Sequence, residues 1–422
     1  MRVFAIGIFV LTTTAPLLAC LWDRDTFAME ARGRLEVVET AVGWFDRFPP
    51  EYYQMRLDRV APEIAADPKR LDLYDDAAVA CDRLGKHEEA VAWMEKKAAA
   101  MQALPAAQTQ DHRYRRLANL GVFHTHLWLK SPDRERNVVS LDQAIQHVKE
   151  ALKINPNAHF GRESAHLGLL EWWREGLKEN SPADWSLLTS HYSGGLTDST
   201  SVKGLCGLIQ MGSAQESVDV HALLAYQLAL GHQRLEESHY SLTHLTCLRL
   251  GELMLDQKTA VHPALLHEER WKHQVEGLRL TPEGRTESVN TVGRSLIGEI
   301  HLIGSRYDVS IIARYFHEAR AAAVRRQADK TAFMLAQFQQ GRHPDTHAGF
   351  WQGWQEPVLP PIPPQAAAEK YAGLALGGWV IRNERLVLGG FVCLVGALGL
   401  TVILAMIRPR KRRVTATGDG QA

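Results

Sequence analysis

Two stretches of this chain are apolar without interruption, and most of what lies between them places its apolar residues on a helical period. Residues 3–10 form a short apolar run behind Met1 and Arg2. Residues 386–407 contain no charged side chain and end against Arg408, Arg410, Lys411, Arg412 and Arg413. In 71–105, Tyr74, Ala77, Ala78 and Cys81 share one face of a helix, Ala90, Met94 and Lys97 share a face of a second, and Gly85 stands between them. In 309–339, Ile311, Ile312, Tyr315, Phe316, Ala319 and Ala323 recur near every 3.6 residues, which predicts a long amphipathic helix or a pair. Alternation with period two is confined to short pieces such as 300–303, so the expected fold class is all-α.

The helical pattern repeats. A second copy opens with Leu117, Leu120, Gly121 and His124 and closes with Ala144, Val148, Ala151 and Asn155-Pro156, with a polar insertion at 131–136 that reads as a surface loop. A third, over 218–255, keeps only the hairpin pattern: Leu224, Ala225 and Leu228, a turn at Gly231, then Tyr240, Leu242, Leu245 and Leu248. The spacing of large, small and glycine positions resembles the tetratricopeptide repeat (TPR), although Cys81 stands where an aromatic is usual and Lys97 where an alanine is. The chain is also similar to a group of bacterial TPR proteins that begin with a signal peptide. The matching pieces are Cys20-Leu21-Trp22-Asp23-x-Asp25-Thr26, Arg47-x-Pro49-Pro50-x-Tyr52-Tyr53, Asn155-Pro156-x-Ala158-His159-Phe160-Gly161-Arg162-Glu163 and Gly204-Leu205-x-Gly207-Leu208, within a span reaching about Leu255.

That resemblance implies fold and location, and no activity. It predicts helical hairpins stacked as a short solenoid, packed through Tyr74, Ala77, Ala78, Gly85, Ala90, Leu120, Gly121, Ala144, Ala151 and Pro156. Asp75, Arg83, Asn119 and His126, on first helices of the repeats and outside that packing set, are the expected contacts for a protein or peptide partner.

The ends read as membrane signals. Residues 1–20 have the shape of a secretory signal peptide, and Leu17-Leu18-Ala19-Cys20 resembles the bacterial lipobox, which makes Cys20 the candidate for lipid attachment. Cleavage near Ala19 and an uncleaved anchor are the alternatives. Residues 386–407 are long enough for a single transmembrane helix, and 408–422 form a basic tail on the cytoplasmic side. The expected organisation is therefore an N-terminal helical segment (21–70), TPR repeats (71–157), a TPR-like helical region (158–345) and a juxtamembrane linker (346–385). Pro357, Pro360, Pro361, Pro363 and Pro364 make part of that linker a stiff spacer. The expected location is the bacterial cytoplasmic membrane with the body on the extracytoplasmic side. Oligomeric state stays open: Gly389, Cys393 and Ala397 offer a small-residue face but no GxxxG.

Composition narrows the chemistry. Lys plus Arg and Asp plus Glu both number 48, which gives no basic footprint for nucleic acid. The five cysteines show no CxxC pairing; Cys81 reads as a buried thiol, and Cys206 and Cys247 could pair only if their Cα atoms lie within about 7 Å. Among the 19 histidines, His124 and His126 point about 200° apart on a helix, His239 and His244 are five apart, and His267-Glu268-Glu269-Arg270-Trp271 is not HExxH. No GxSxG, GxGxxG or P-loop occurs, and Gly194-Gly195 lacks the lysine of a phosphate cradle. No catalytic residue, cofactor or metal ligand is expected. The competing reading is a helical metal-dependent enzyme using histidines of 232–273. Asp72, Asp75 and Asp76 read as first-turn charges that cap a helix, Asp23-x-Asp25 as the polar flank of the signal sequence, Trp172 and Trp173 as core, and Trp351 and Trp354 as exposed near the linker.

Overall fold

The computed structural model describes residues 23–25, 36–156, 161–177, 199–211, 217–232, 238–256, 260–262, 265 and 309–363. Residues 1–20 with Cys20, 193–195, 300–303, 386–407 and 408–422, on which a signal sequence, a loop, a membrane span and a cytoplasmic tail are expected, lie outside the described residues. Every described residue belongs to one unit of the chain, and a second unit, 302–308 with 364–422, lies outside them.

The described elements are helices: α1 (Val37–Val42), α2 (Pro50–Ala66), α3 (Leu71–Arg83), α4 (His87–Gln102), α5 (Ala106–Lys130), α6 (Val138–Ile154), α7 (Arg162–Gly176), α8 (Ser199–Met211), α9 (Val218–His232), α10 (Ser238–Asp256) and α11 (Val309–Phe338). Among the described residues there is no strand, so the fold is all-α. No helix among them is long and apolar enough to cross a membrane.

From α2 to α10 each helix packs on the next, and α3 also packs on α5. Short turns of 67–70, 84–86 and 103–105 make neighbours antiparallel. Small residues set the spacing: Ala77, Ala78, Ala90, Ala144 and Ala151 are fully buried, and a Cβ on Gly121 would sit 2.5 Å from Val148 Cγ2. Leu120 and Tyr74 are buried beside them, whereas Pro156 is exposed beyond the end of α6 and takes no part in the packing. The 131–137 insertion is a surface loop with internal order; its Arg134 carbonyl accepts from Trp128 Nε1 at 3.0 Å. The turn expected at Gly231 does not fall there, because α9 continues helical to His232 before the chain returns as α10.

The array does not end open. The single helix α11 packs on α10 and on α2, and α1 lies among α8, α10 and α11. At one end of α11, Tyr52, Tyr53, Met334, Phe338 and Phe350 form an aromatic cluster. Beside it Arg56, fully buried, is gripped by carboxylates from both ends of the described chain. Asp23 lies at 3.1 Å, Asp25 at 2.7 and 3.0 Å, and Asp345 at 2.7 and 2.8 Å. Burial alone would lower the charge on such a group, and the carboxylates outweigh it, so the Arg56 guanidinium is held firmly protonated. Asp23 and Asp25 are therefore structural ion-pair partners of the body rather than a solvated flank.

The proline-rich segment is equally engaged. Residues 354–363 run extended along α11, where Tyr315 Oη donates to the Pro360 carbonyl at 2.7 Å and Leu359 and Ile362 pack against the cluster of Leu245, Leu248 and Phe316. Glu356 accepts from Arg326, from Lys330 at 3.2 Å and from Trp354 Nε1 at 2.8 Å. The spacer expected to stand free is, as far as 363, a strap bound to the body, because the Pro360 carbonyl and Glu356 find partners on α11 while Leu359 and Ile362 pack against a cluster built by α10 and α11.

Candidate functional site

Helix α3 is enclosed on every face from Leu73 to Asp82, so each of its buried aspartates requires a partner. Asp75 receives the Nζ of fully buried Lys97 at 2.6 and 2.7 Å and Asn119 Nδ2 at 3.2 Å. Asp76 receives the Arg24 main-chain N–H at 3.2 Å and its Nε at 2.9 Å. The third, Asp82, receives two histidines. The capping role expected of Asp75 and Asp76 is thus replaced by internal ion pairs, and no side chain caps α3. Asp72 alone remains in the exposed first turn.

The Asp82 site is built by a turn. After Arg83 the chain reverses at Gly85, whose φ of +74° suits glycine, and the Gly85 and Lys86 N–H groups close on the carbonyls of Asp82 and Cys81, both at 2.9 Å. This returns His87, the first residue of α4, over the carboxylate, with Nδ1 at 2.8 Å from Asp82 Oδ1. From α5, His126 brings its own Nδ1 to the same oxygen at 2.7 Å. The two rings lie 5.3 Å apart between centroids. Burial would raise the Asp82 carboxyl, but the charge and hydrogen bond of His126, then His87, outweigh it and hold the group well below the usual carboxylate range. Behind His126, Thr125 Oγ1 donates to the Gly121 carbonyl at 2.7 Å and meets His166 Nε2 at 3.3 Å. In front, a cavity of about 350 Å³ opens, lined by Asp82, Arg83, His87, His126, Leu129 and Lys130. Lys130 Nζ is tied to the Gly85 carbonyl at 2.9 Å.

Of the four expected partner contacts, the structure brings Arg83 and His126 to this cavity and withdraws Asp75 and Asn119 into the interior, at 2% and 0% exposure. The reason is Lys97. A fully buried lysine needs a buried counter-charge, and Asp75 supplies it.

The histidines of 232–273 do not assemble among the described residues. His262 stacks on Trp172 at 4.0 Å between centroids, and burial lowers it to about 4. Its loop is fixed by Asp219, which accepts from the main chain of Val261 and His262, both at 2.8 Å, and from Trp173 Nε1 at 2.9 Å. His244 is also buried. Cys206 and Cys247 are both buried and are not joined by a disulfide, and burial pushes Cys206 up to about 12 and Cys81 up to about 11.

Comparing histidines only with neighbouring histidines misses the Asp82 site, since its members come from the end of one helix, the start of the next and the middle of a third. The available signal was Asp82-Arg83-Leu84-Gly85-Lys86-His87: a carboxylate and an imidazole on either side of a glycine turn in a predicted hairpin. With that geometry in place, comparison with known proteins finds no match: no protein-family model, no curated protein and no solved structure matches this chain.

Proposed function

We propose that the protein is a membrane-tethered scaffold of the bacterial envelope. In this reading a short TPR-like solenoid is held on the extracytoplasmic side by the 386–407 span and recruits a protein or peptide partner without catalysis. The observation that carries the reading is the stacking of α3–α4 on α5–α6, in which α4 packs on α5 and α3 reaches past α4 to α5, Ala78 and Ala90 are buried in one cluster with Leu120 and Phe123 of α5, and Gly121 lets α6 close on α5 within the second hairpin. A hairpin of this kind leaves an apolar face uncovered unless a neighbour stacks on it, and arrays built that way present extended surfaces suited to recognition. Asp75 and Asn119 being internal, the contact surface is assigned to side chains that reach solvent, foremost Arg136, 90% exposed on the 131–137 loop.

The test places a photo-cross-linking residue at Arg136 in the full chain, expressed in a bacterial envelope. A single adduct that saturates and co-purifies with the wild-type chain is the expected result, lost when Gly121→Glu disrupts the α5–α6 contact. Labelling spread over abundant proteins, unchanged by Gly121→Glu, would overturn the reading. Protease cleavage of the body from the cytoplasmic side alone would overturn its orientation.

A further inference from the structure

Three side chains of metal-ligand type, from α3, α4 and α5, converge so that one ligand atom of each lies within 4.8 Å of the others. We propose that Asp82 Oδ1, His87 Nδ1 and His126 Nδ1 form a binding site for a divalent first-row transition metal ion of the zinc type, with an open coordination position facing the cavity. The proposal goes beyond the scaffold reading and does not rest on it.

The donor set selects the metal class. Two imidazoles and one carboxylate suit zinc and its first-row neighbours, whereas magnesium and calcium favour oxygen ligands throughout. The donors are also held in advance. Asp82 is 4% exposed in the last turn of α3, His126 is 7% exposed on α5, and the closed turn at Gly85 sets His87 above both. An ion loses little to ordering such ligands.

The fit requires a small adjustment. Zinc–nitrogen and zinc–oxygen bonds of about 2.0–2.2 Å in tetrahedral array place ligand atoms roughly 3.3–3.6 Å apart. The two contacts to Asp82 Oδ1, at 2.7 and 2.8 Å, must each open by about 0.5–0.9 Å. His87 can supply that movement because it is the first residue of its helix and, at 14% side-chain exposure, the least buried of the three. The ion replaces the N–H between each ring and the carboxylate, and each neutral imidazole then carries its proton on Nε2.

The cavity of about 350 Å³ leaves the remaining coordination position to solvent or an incoming ligand. Arg83 and Lys130 on its rim oppose a bare cation and favour an anionic oxygen donor as the exchangeable ligand. Three protein ligands with one position open is the arrangement of an exchanging site, not of a closed structural one.

The competing account is a carboxylate satisfied by two histidines with no ion. Full-length protein in detergent, stripped with a chelator, is titrated with Zn²⁺ against a chromophoric chelator and with Co²⁺ for its visible absorption. The expected result is one equivalent of Zn²⁺ bound at micromolar affinity or tighter, cobalt bands of a low-coordinate nitrogen–oxygen site, and a melting temperature raised by Zn²⁺. His87→Ala, which leaves His126 as the partner of Asp82, is expected to fold while losing at least tenfold in affinity and the Zn²⁺-dependent rise; His87→Gln replaces it if His87→Ala does not fold. Absence of stoichiometric uptake would overturn the proposal. So would wild-type affinity in His87→Ala or in Asp82→Asn, which would assign the uptake to other histidines.

Discussion

The Nζ of Lys97 sits between the two carboxylate oxygens of Asp75 at 2.6 and 2.7 Å, both side chains sealed from solvent inside the first hairpin. Burial raises the Asp75 carboxyl and lowers the Lys97 amine, so each charge persists through the other. Removing one partner strands the other. Lys97→Ala is expected to cost about 3–5 kcal/mol in urea unfolding, while the double variant Asp75→Leu/Lys97→Met recovers most of it. A double variant as unstable as the single one would show that the pair contributes more than its own neutralisation.

Arg56 is expected to be the least replaceable side chain of the fold. Lysine offers one point charge where the guanidinium reaches Asp23, Asp25 and Asp345 together, so Arg56→Lys should destabilise nearly as much as Arg56→Leu, by about 3–5 kcal/mol. Limited proteolysis checks the geometry. Both variants should become cleavable near 23–25 and near 343–347 at once, since one residue holds both segments.

Close approach at Gly204 gives a steric prediction. A Cβ there would lie 2.7 Å from the Gly161 carbonyl oxygen, a backbone atom that cannot swing aside. Gly204→Ala should therefore cost about 1–3 kcal/mol by thermal melting. Gly85→Ala meets open space and carries only the strain of φ +74°, about 1–2 kcal/mol, reduced by asparagine.

Acid should weaken the fold in two windows. Burial, with Arg249, Arg320 and Arg47 nearby, lowers His221 to about 3, and burial lowers His262 to about 4. Both values lie below that of the unfolded chain, which therefore binds the extra protons. Stability is complete above about pH 6.5 and falls below it, by about 1 kcal/mol per histidine at pH 5.5. Asp345 is held at about 2: burial opposes the shift, and Arg56 outweighs burial. Its contribution, about 2 kcal/mol, is full above pH 4 and lost between pH 4 and 2. Urea midpoints measured from pH 7.5 to 3 should show the first loss shrink in His221→Phe.

Much of the helix order could be read from periodicity, because the small residues of 71–156 repeat at the spacing that lets helices meet. Ala78, Ala90, Gly121 and Ala144 stand where that argument places them. Buried polar pairing was hidden. Asp75, Asp76 and Asp82 occupy positions that a local reading assigns to a charged helix end, and their partners Lys97, Arg24 and His126 come from other elements. Charge on α3 looked like surface because nothing local says that a helix is enclosed. The proline run at 357–363 likewise fixes an extended backbone but not whether that backbone lies on a helix, which depends on Tyr315 and Arg326 some 30 to 45 residues earlier.

The grip of Arg56 on Asp345 also orders events in time. The two residues are 289 positions apart. At ~5–20 residues per second, Arg56 leaves the ribosome roughly 15–60 s before its last partner exists. During that interval Tyr52 and Tyr53 lack Phe338 and Phe350, and the face of α2 that will meet α11 stays uncovered. The early hairpins can form from local contacts, but the native arrangement of the first of them awaits α11, so a chain truncated before it is expected to be a target for chaperones and proteases and not a shorter working version of the whole.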